Sequence, residues 1–498
     1  MDAIDKLKQD VREGRIGAEA LIDLIVDLCR KLEAAQKRIE ELEKELGRRP
    51  TAKLDEPFST RAEEQRQEAR GKKKRQRKPK GRCGRVSTDD KIRQAERTEP
   101  VFPEGVSPDA CLLSHVRPVW RLENGRAVLV AYQIYRGPSN RYGRIPGVLG
   151  RSEYGLEIVT EIAYLVYVVG LSFDKVCLLL GFFQNLQLRK SQVNALLYRL
   201  SRAWEHEFDL LCTLLTNSLV VHADETSWSL NSVWAFLSEK ARVLLFGVHK
   251  DAATLEKMLD PASFAGIVIS DDAAVYGNFS ASQKCWAHLL RKAIKLTLQD
   301  PNNTEYRGFT DRLLEIYREA CRVQRDQRLS DKGRARKVLV LEAEIVELCE
   351  GMWLADLPPM EGLENDYRLL VDEIMRIMLR EELFTFVTAK PTTQPNGMTK
   401  PVDGTNNEAE RTLRGAAQAR VTGRTNKTGN GARRQTILTS VLESLRLYLP
   451  TFTLSCVLEE LKRWWATGQS CFEKLVGKLG LTPPKHPVAD QLLPGPSG

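Results

Sequence analysis

Apolar residues recur at alternating spacings of three and four along residues 18–46, starting at Ala18 and Leu21 and ending at Leu46. This heptad pattern predicts a helix whose apolar seam is narrow and flanked by charged residues. A seam of this width is typical of a helix that packs against a partner helix. We therefore predict that residues 1–48 form a coiled coil, in which residues 18–46 join subunits into a homodimer or a higher oligomer. A single helix docked on the body of the chain is the alternative.

Residues 49–100 carry few large apolar side chains, and this composition predicts a basic, disordered linker. Within it, residues 71–85 hold nine Lys and Arg residues and no acid, so this run alone accounts for the net charge of +9. Such a run cannot be buried and suits a polyanion, which favours contact with DNA over a linker that serves solubility alone. The side chains that we expect to make this contact are Lys72, Lys73, Lys74, Arg75, Arg77 and Lys78.

Two apolar runs between Trp120 and Gly137 flank the dipeptide Asn124-Gly125. Asn-Gly is a preferred pair for the tight turn of a β-hairpin, because both residues tolerate the positive φ that this turn requires. We therefore predict a hairpin here, within a small β-rich segment at residues 101–150.

Helical periodicity dominates residues 151–210 and is interrupted near Gly181. Ser172 and Ser191 are suitable N-caps, so they predict where two of the helices begin. Helix, break and helix form the layout of a helix-turn-helix, in which residues 190–202 would be the helix that reads DNA. Helical hairpins with other purposes are common, and a structural role for this region is the alternative.

Short β-branched and aromatic runs, bounded by turns, replace the helical pattern after residue 218. They predict three consecutive strands, then a helix, a fourth strand at residues 266–270 and a fifth strand near Cys285. Strands that come first and then alternate with helices indicate an α/β fold with a mixed sheet and helices packed on it.

The rest of the chain completes the predicted domain organisation. Residues 211–300 and 400–450 would form one domain around the sheet, and the strongly helical residues 301–399 would be an insertion within it. Residues 451–498 would form a C-terminal helix and a tail that is disordered from Thr482, where several prolines follow.

Carboxylates follow two of the predicted strands and recur on a later helix. Asp224 and Glu225 end the first strand-like run, Asp271 and Asp272 end the fourth, and "NNEAER" at residues 406–411 holds two more acids. Ligand sites in open sheets collect where strands end, although each acid alone could be a solvated turn residue. Carboxylates brought together need a cation, and oxygen ligands suit Mg²⁺ or Mn²⁺. Two such ions about 4 Å apart serve phosphoryl transfer.

Other features of the sequence exclude several classes of protein. The ten cysteines are scattered without a CxxC pair, so neither a disulfide scaffold nor a zinc finger is expected. Cys285 and His288 have the spacing of a zinc half-site, but the sequence offers no second half. No secretory signal opens the chain, and its most membrane-like run, Ile162 to Leu171, is shorter than the roughly 20 residues that a bilayer requires. We expect a cytosolic protein without a membrane partner.

Three motifs together carry a resemblance to a known family. They are "HADET" at residues 222–226, "SDDAAVYGNF" followed closely by "KCWAHLLRKA", and "NNEAERTLRGAAQARVTGRTNKTGNGARR" leading into a helix. In this combination the sequence resembles the DDE transposases of bacterial insertion sequences, specifically the insertion-sequence-66 family. The resemblance covers residues 140–450. It implies a ribonuclease-H-like mixed sheet with an α-helical insertion, preceded by the coiled coil, the basic linker and the helical DNA-binding region.

The resemblance also implies a two-metal site, in which Asp224, Asp271 and Glu410 hold Mg²⁺ or Mn²⁺. In the second motif of the family, an Asp is followed five residues later by a Tyr. The spacing from Asp271 to Tyr276 matches this pattern, so Asp271 is preferred to Asp272.

The third acid of the family precedes Arg in "AER", which gives Glu410, with Glu408 as the alternate. These two lie about 200° apart around a helix, so they cannot both face one metal. The basic residues expected to hold DNA phosphates near this acid are Arg411, Arg414, Arg424 and Lys427. An exposed flexible loop is the alternative for the Gly-rich part of this segment. The resemblance implies DNA contacts also for His288, Arg291 and Lys292.

Two departures from the family pattern are visible. Many members carry a Cys-rich zinc-binding segment after the linker, where this chain has only Cys83 and Cys111, and many have Asp where this chain has Thr405. Neither departure removes an expected metal ligand. The resemblance implies a transposase of the bacterial cytosol, associated with the nucleoid, that cleaves transposon ends and transfers the strands into double-stranded target DNA. A catalytically inactive DNA-binding regulator and a ribonuclease-H-type nuclease are the alternatives.

Overall fold

The structure is a computed structural model of the 498-residue chain. The residues that it describes fall within one compact unit and are 86–229, 231–353, 361–484 and 487–493. The predicted coiled coil at residues 18–46 and the basic run at residues 71–85, including Lys72 to Lys78, lie outside the described residues. In the described part, no helix is both long and apolar enough to cross a membrane.

A three-stranded sheet opens the described part of the chain. Its elements are α1 (Thr88–Arg93), β1 (Arg97–Val101), β2 (Leu112–Glu123) and β3 (Arg126–Arg136). β2 and β3 form the predicted antiparallel hairpin, with Asn124 and Gly125 at positive φ values of 49° and 76°, as a tight hairpin turn requires. β1 pairs with β3 in parallel, which gives the order β1-β3-β2.

The linker predicted at residues 49–100 differs from the structure at its C-terminal end, where α1 and β1 form. The Ser87 side chain accepts a hydrogen bond from the backbone N–H of Asp90 and caps α1. β1 is mainly polar, but its backbone pairs with β3, and its Arg97 forms an ion pair with Glu123 at 2.5 Å. Backbone pairing therefore orders a strand that lacks the apolar alternation on which prediction depends.

Four helices follow in the chain, between the three-stranded sheet and a second, five-stranded sheet. They are α2 (Leu156–Tyr167), α3 (Phe173–Gln184), α4 (Lys190–Ala203) and α5 (Glu205–Thr216). Ser172 caps α3 as predicted, but this helix runs past Gly181 to Gln184, and its C-cap Asn185 has a left-handed φ of 55°. α4 begins one residue before Ser191 and spans the segment that was predicted to read DNA.

The second sheet has five strands, as the sequence predicts. They are β4 (Val220–Ser227), β5 (Ser232–Ser238), β6 (Arg242–Val248), β7 (Ile267–Ser270) and β8 (Ser282–Lys284), with α6 (Ala252–Met258) between β6 and β7. Their order in the sheet is β6-β5-β4-β7-β8. β4, β5 and β6 are antiparallel neighbours, whereas β7 and β8 run parallel to β4. The sheet is therefore mixed, which confirms the predicted α/β class.

A helical segment follows β8. It comprises α7 (Trp286–Gln299), α8 (Thr304–Arg325), α9 (Asp331–Trp353), α10 (Gly362–Leu379), α11 (Thr385–Thr388) and the short antiparallel pair β9 (Thr392–Thr393) and β10 (Thr399–Lys400). These helices share an apolar core that extends to Ile269 of β7. Two further helices then return to the five-stranded sheet, and they are α12 (Asn407–Val421) and α13 (Gly429–Leu445).

Helices cover both faces of the five-stranded sheet. On one face, Val221 of β4 and Phe236 of β5 share a core with Phe208 of α5. On the other face, Ala235 of β5 shares a core with Leu413 of α12. The alternation of side chains along the strands separates these two cores. Asp224 of β4, which pairs with Ala235, therefore lies on the side that α12 covers.

The outer edge of β6 is covered by hydroxyl groups of α13. Backbone N–H groups of alternate β6 residues donate at 2.9 to 3.0 Å to hydroxyls spaced four apart on α13: Arg242 to Ser444, Leu244 to Ser440 and Phe246 to Thr436. Four helical residues rise about 6 Å and two strand residues about 6.6 Å, so the two repeats stay in register. The arrangement satisfies donors that an uncovered edge would expose.

Three short helices end the described chain. They are α14 (Leu454–Thr467), α15 (Cys471–Lys478) and α16 (Val488–Leu492). α16 lies where the sequence predicts a disordered tail from Thr482. Ala489 is fully buried, and Arg433 of α13 forms an ion pair with Asp490 at 2.7 Å. Contacts with distant residues therefore order a segment whose composition favours disorder.

Candidate active site

Asp224 and Asp271 lie at the same end of the five-stranded sheet, where β4 and β7 stop pairing with each other. β4 and β7 are parallel, and their last paired residues are His222 and Ile269. Each Asp lies two residues beyond that pair, so the parallel register brings both to the same level. The sequence predicts that Asp224 ends its strand, and this prediction is wrong. β4 continues to Ser227 in its pairing with β5.

Glu410 approaches this end of the sheet from the first turn of α12. α12 packs on β4 and β5, and Leu413, one turn after Glu410, is buried against the sheet. Asp224 pairs with Ala235 across β4 and β5, so it lies on the face that α12 covers. The helix therefore brings the third acid to the side of the sheet that carries the first.

A buried Asn fixes the start of α12. Asn406 is fully buried, and its Nδ2 donates to the carbonyl of Ala223 at 2.8 Å. Its backbone N–H contacts Sγ of Cys285 at 3.1 Å. The residue before α12 is therefore bound to the neighbour of Asp224 and to the residue after β8. Sequence analysis missed this role, although the motif "NNEAER" contains the residue.

The charges of the assembled carboxylates act on one another. The pKa of Asp224 is raised to about 7, first by burial and then by the charges of Glu225, Asp271 and Glu410, while the backbone N–H of Glu225 opposes the shift. The charges of Asp271 and Glu410 therefore disfavour the ionised form of Asp224. A divalent cation among them would remove this repulsion, and their oxygen atoms are ligands that Mg²⁺ and Mn²⁺ prefer.

The two acids that the sequence left as alternates are engaged by arginines. Arg376 of α10 forms a forked ion pair with Asp272, in which one hydrogen bond measures 3.1 Å. Arg242 of β6 forms an ion pair with Glu408. Asp271 and Glu410, the acids preferred from the sequence, are among the main charges that raise the pKa of Asp224, after its burial.

Glu225 is a buried acid to which the sequence assigned no role. It forms an ion pair with Lys250 at 2.8 Å and accepts a hydrogen bond from the hydroxyl of Tyr276. Side chains alternate along β4, so Glu225 and Asp224 point to opposite faces. The Tyr whose spacing from Asp271 matches the family motif therefore braces the sheet beneath the acid cluster.

Side chains of α7 surround Glu410. Arg291 donates to Oε1 of Glu410 at 2.6 Å, and Nδ1 of His288 lies 3.7 Å from the same oxygen. Burial lowers the pKa of His288, and the charge of Arg291 lowers it further, against the opposing effect of nearby acids. Arg291 is therefore the group that neutralises Glu410.

Within the described residues, Cys285, His288 and Glu410 offer ligand atoms that all lie within 4.8 Å of one another. Glu410 thus adds a third possible ligand to the zinc half-site spacing of Cys285 and His288, for which the sequence offered no further ligands. The Cys285 thiol is buried, however, and burial raises its pKa, which disfavours the thiolate that a metal requires. Its bond with the Asn406 N–H explains its position as part of the support for α12.

A family match spans most of this region. Residues 151–434, more than half of the chain, match the family described as "Transposase IS66 family". The chain belongs to the IS66 transposase family. No curated protein matches it.

The match to the IS66 family confirms the resemblance that the sequence motifs carried. It includes β4 to β8, the helical segment and α12, so Asp224, Asp271 and Glu410 all lie inside it. Membership implies an enzyme that cleaves and transfers nucleic acid strands and that binds DNA.

Two helices of this IS66-family chain carry side chains that were expected to contact DNA. Arg411 and Arg414 are exposed on α12, and Arg411 donates to the carbonyl of Asn407 in its own helix at 3.2 Å. Lys292 of α7 forms an ion pair with Glu373 of α10. Arg414 is therefore the more readily available of the two α12 arginines.

The loop between α12 and α13 carries two more of the expected residues. Arg424 is exposed, but it donates to the carbonyl of Gly170 at 2.8 Å, which ties the loop to the chain before α3. Lys427 lies half-buried in the same loop. This loop is therefore anchored at Arg424, which argues against the alternative of an unattached flexible loop.

Proposed function

We propose that this chain is a DDE transposase. In this proposal it uses two Mg²⁺ or Mn²⁺ ions to cleave the phosphodiester at transposon ends, and the freed 3′-hydroxyl then attacks target DNA. The proposal is supported by the parallel register of β4 and β7, which brings Asp224 and Asp271 to the same end of the sheet in a member of a transposase family, with Glu410 on α12 over that face. The sheet order, with three antiparallel strands followed by two parallel ones, supports the ribonuclease-H-like fold that the resemblance implies.

The residues present fit divalent ions. Asp224, Asp271 and Glu410 supply only oxygen ligands, and the pKa of Asp224 is raised first by burial and then by the charges of neighbouring acids, Asp271 and Glu410 among them. These three residues would hold the ions, which would activate the attacking hydroxyl and stabilise the leaving oxygen. Arg291 would release Glu410 when a metal binds, and its half-exposed guanidinium would then be available to a DNA phosphate.

Basic side chains lie where a DNA backbone would approach the acids. Arg411 and Arg414 follow Glu410 on α12 and are exposed to solvent. α4 would contact the transposon end, together with the basic run at residues 71–85. Pairing of subunits through residues 18–46 would hold two ends together for joining.

The proposal is tested with the purified chain, Mg²⁺ and a duplex that contains an element end, taken from the DNA that flanks the gene. Asp224→Asn, Asp271→Asn and Glu410→Gln should each abolish strand nicking and leave DNA binding intact, because each keeps the size of the side chain and removes its charge. Glu408→Gln, on the same helix, is the matched control and should still nick. Nicking by Asp224→Asn at the wild-type rate would contradict the site assignment.

The same assay separates the alternatives. DNA binding without nicking by the wild-type chain would favour an inactive regulator. Nicking without joining, in a strand-transfer assay, would favour a ribonuclease-H-type nuclease. Deletion of residues 18–46 should impair joining more than nicking if that segment pairs the subunits.

A further inference from the structure

An open cleft of about 360 Å³ lies beside Asp271, between the acid cluster and the helical segment. Its walls include Asp271, Asp272, Lys292 of α7, and Leu369, Glu373 and Arg376 of α10. Its volume is at the lower end of the range for ligand pockets, about 300–1,000 Å³. The cleft shares Asp271 with the acid cluster, so a ligand in it would lie next to the reacting groups.

One face of α10 forms the outer wall of this cleft. Leu369, Glu373 and Arg376 are spaced by four and three residues, which places them on a single helical stripe. Glu373 pairs with Lys292, and Arg376 pairs with Asp272, so two ion pairs cross the cleft. Leu369 lies outside the apolar core of the helical segment and keeps 52% of its surface exposed. The cleft therefore offers two cations, Lys292 of α7 and Arg376 of α10, and an uncovered apolar surface on α10.

The charge of the cleft depends on the metal. Its three carboxylates outnumber Lys292 and Arg376, so the walls of the metal-free cleft carry one net negative charge, with His288 neutral. A single divalent ion at Asp271 reverses this sign. The side chains of Lys292 and Arg376 are 51% and 40% exposed, so both can turn from their acids toward an anion.

We propose that this cleft binds one nucleotide of the DNA strand that is cut, and that it does so only when metal is bound at Asp271. Lys292 and Arg376 hold the phosphate, and Leu369 contacts the sugar and base. The inference rests on the proposed function for the identity of the metal and of the strand. It gives the helical segment a specific task, because α10 completes a substrate site that the sheet alone leaves open on one side.

The probe for this site is thymidine 3′,5′-bisphosphate, and the readout is its binding to the full chain by calorimetry, with Mg²⁺ or with EDTA. Binding should require Mg²⁺. Arg376→Ala and Lys292→Ala should each weaken it about tenfold, as expected for the loss of a charge-assisted hydrogen bond. Glu373→Gln should tighten binding, because it removes a competing acid and keeps the side-chain size. Lys295→Ala is the matched control, since Lys295 pairs with Asp366 at 3.4 Å between the same two helices but does not line the cleft.

Equal binding in EDTA, or binding that Arg376→Ala and Glu373→Gln both leave unchanged, would overturn the inference. Glu373→Gln keeps the test decisive if Arg376→Ala destabilises the chain by leaving Asp272 unpaired. The two proposals also fail separately. Bisphosphate binding with the expected variant pattern but no nicking of DNA would remove the transposase assignment and keep the nucleotide site. Nicking that Arg376→Ala and Glu373→Gln leave unaffected would remove the site and keep the enzyme.

Discussion

Replacing Asp224 by Asn should make the metal-free protein more stable at pH 8, although it removes a residue that we assign to the metal site. The carboxylate of Asp224 is largely buried among the charges of Glu225, Asp271 and Glu410. Asn has nearly the same shape and no charge, so the substitution removes first the cost of burying the charge and then the repulsion, and it keeps the packing. Stabilising substitutions at functional positions are expected where a site is held together against electrostatic strain.

The magnitude follows from the pKa of Asp224, which is raised from 3.8 to about 7. Because the folded pKa lies above the unfolded one, the folded state keeps a proton that the unfolded chain has lost between these two pH values, and stability falls as the pH rises through this window. The full shift corresponds to about 4 kcal/mol of unfolding free energy. Partial exposure of the group reduces this to about 2–4 kcal/mol.

Thermal unfolding in EDTA, from about pH 5 to about pH 9, measures this difference. Asp224→Asn should unfold at a higher temperature than the wild type at pH 8, and the gap should shrink toward pH 5. Saturating Mg²⁺ should reverse the order, because only the wild type gains stability from metal binding. Glu408→Gln should show no such gain, since Arg242 already neutralises Glu408. An Asp224→Asn chain no more stable than the wild type at pH 8 in EDTA would refute the repulsive cluster.

Three further predictions concern the support of the site and of the sheet. Asn406→Ala should lower the unfolding free energy by about 1–3 kcal/mol, because the buried carbonyl of Ala223 loses its partner. It should also raise the Mg²⁺ concentration that gives half-maximal thermal stabilisation. Asn407→Ala, at the exposed neighbouring position, should have neither effect. Ser440→Ala should destabilise by a similar amount, about 1–3 kcal/mol in denaturant unfolding, because the buried N–H of Leu244 is left unpaired, and unchanged stability would contradict the role of the hydroxyl. Arg291→Ala should lower the Mg²⁺ concentration that gives half-maximal thermal stabilisation about two- to fivefold, which is the effect of removing an exposed ion pair. A higher concentration in this variant would show that Arg291 does not compete with the metal for Glu410.

The strands and the position of two acids could be predicted from sequence because both depend on local patterns. Short β-branched runs bounded by turns mark the first four strands of the central sheet, whereas β8 is the polar segment Ser282–Lys284. Asp224 and Asp271 follow runs that pair in parallel, and parallel pairing brings equivalent positions to one end of the sheet. The choice of Asp271 over Asp272 required the family motif, since neither pattern nor composition distinguishes two adjacent acids.

The contacts that complete the site could not be predicted, because they join residues far apart in the chain. Arg376 and Asp272 are separated by 104 positions, and Asn406 and Ala223 by 183. Neither pair leaves a periodic signal, and a polar residue before a helix is usually interpreted as a cap. The same reason explains the ordered α16, whose position depends on Arg433.

Both flanks of the five-stranded sheet are occupied by groups of the same chain. On the β6 flank these are the hydroxyls of α13. On the β8 flank, the backbone N–H of Lys284 donates to the carbonyl of Glu382 at 2.9 Å, and the side chain of Gln283 donates to the carbonyl of Leu383 at 2.9 Å. A second molecule therefore cannot extend the five-stranded sheet while these contacts are in place. An assembly that keeps them must use other surfaces, so each subunit retains a complete five-stranded sheet of its own.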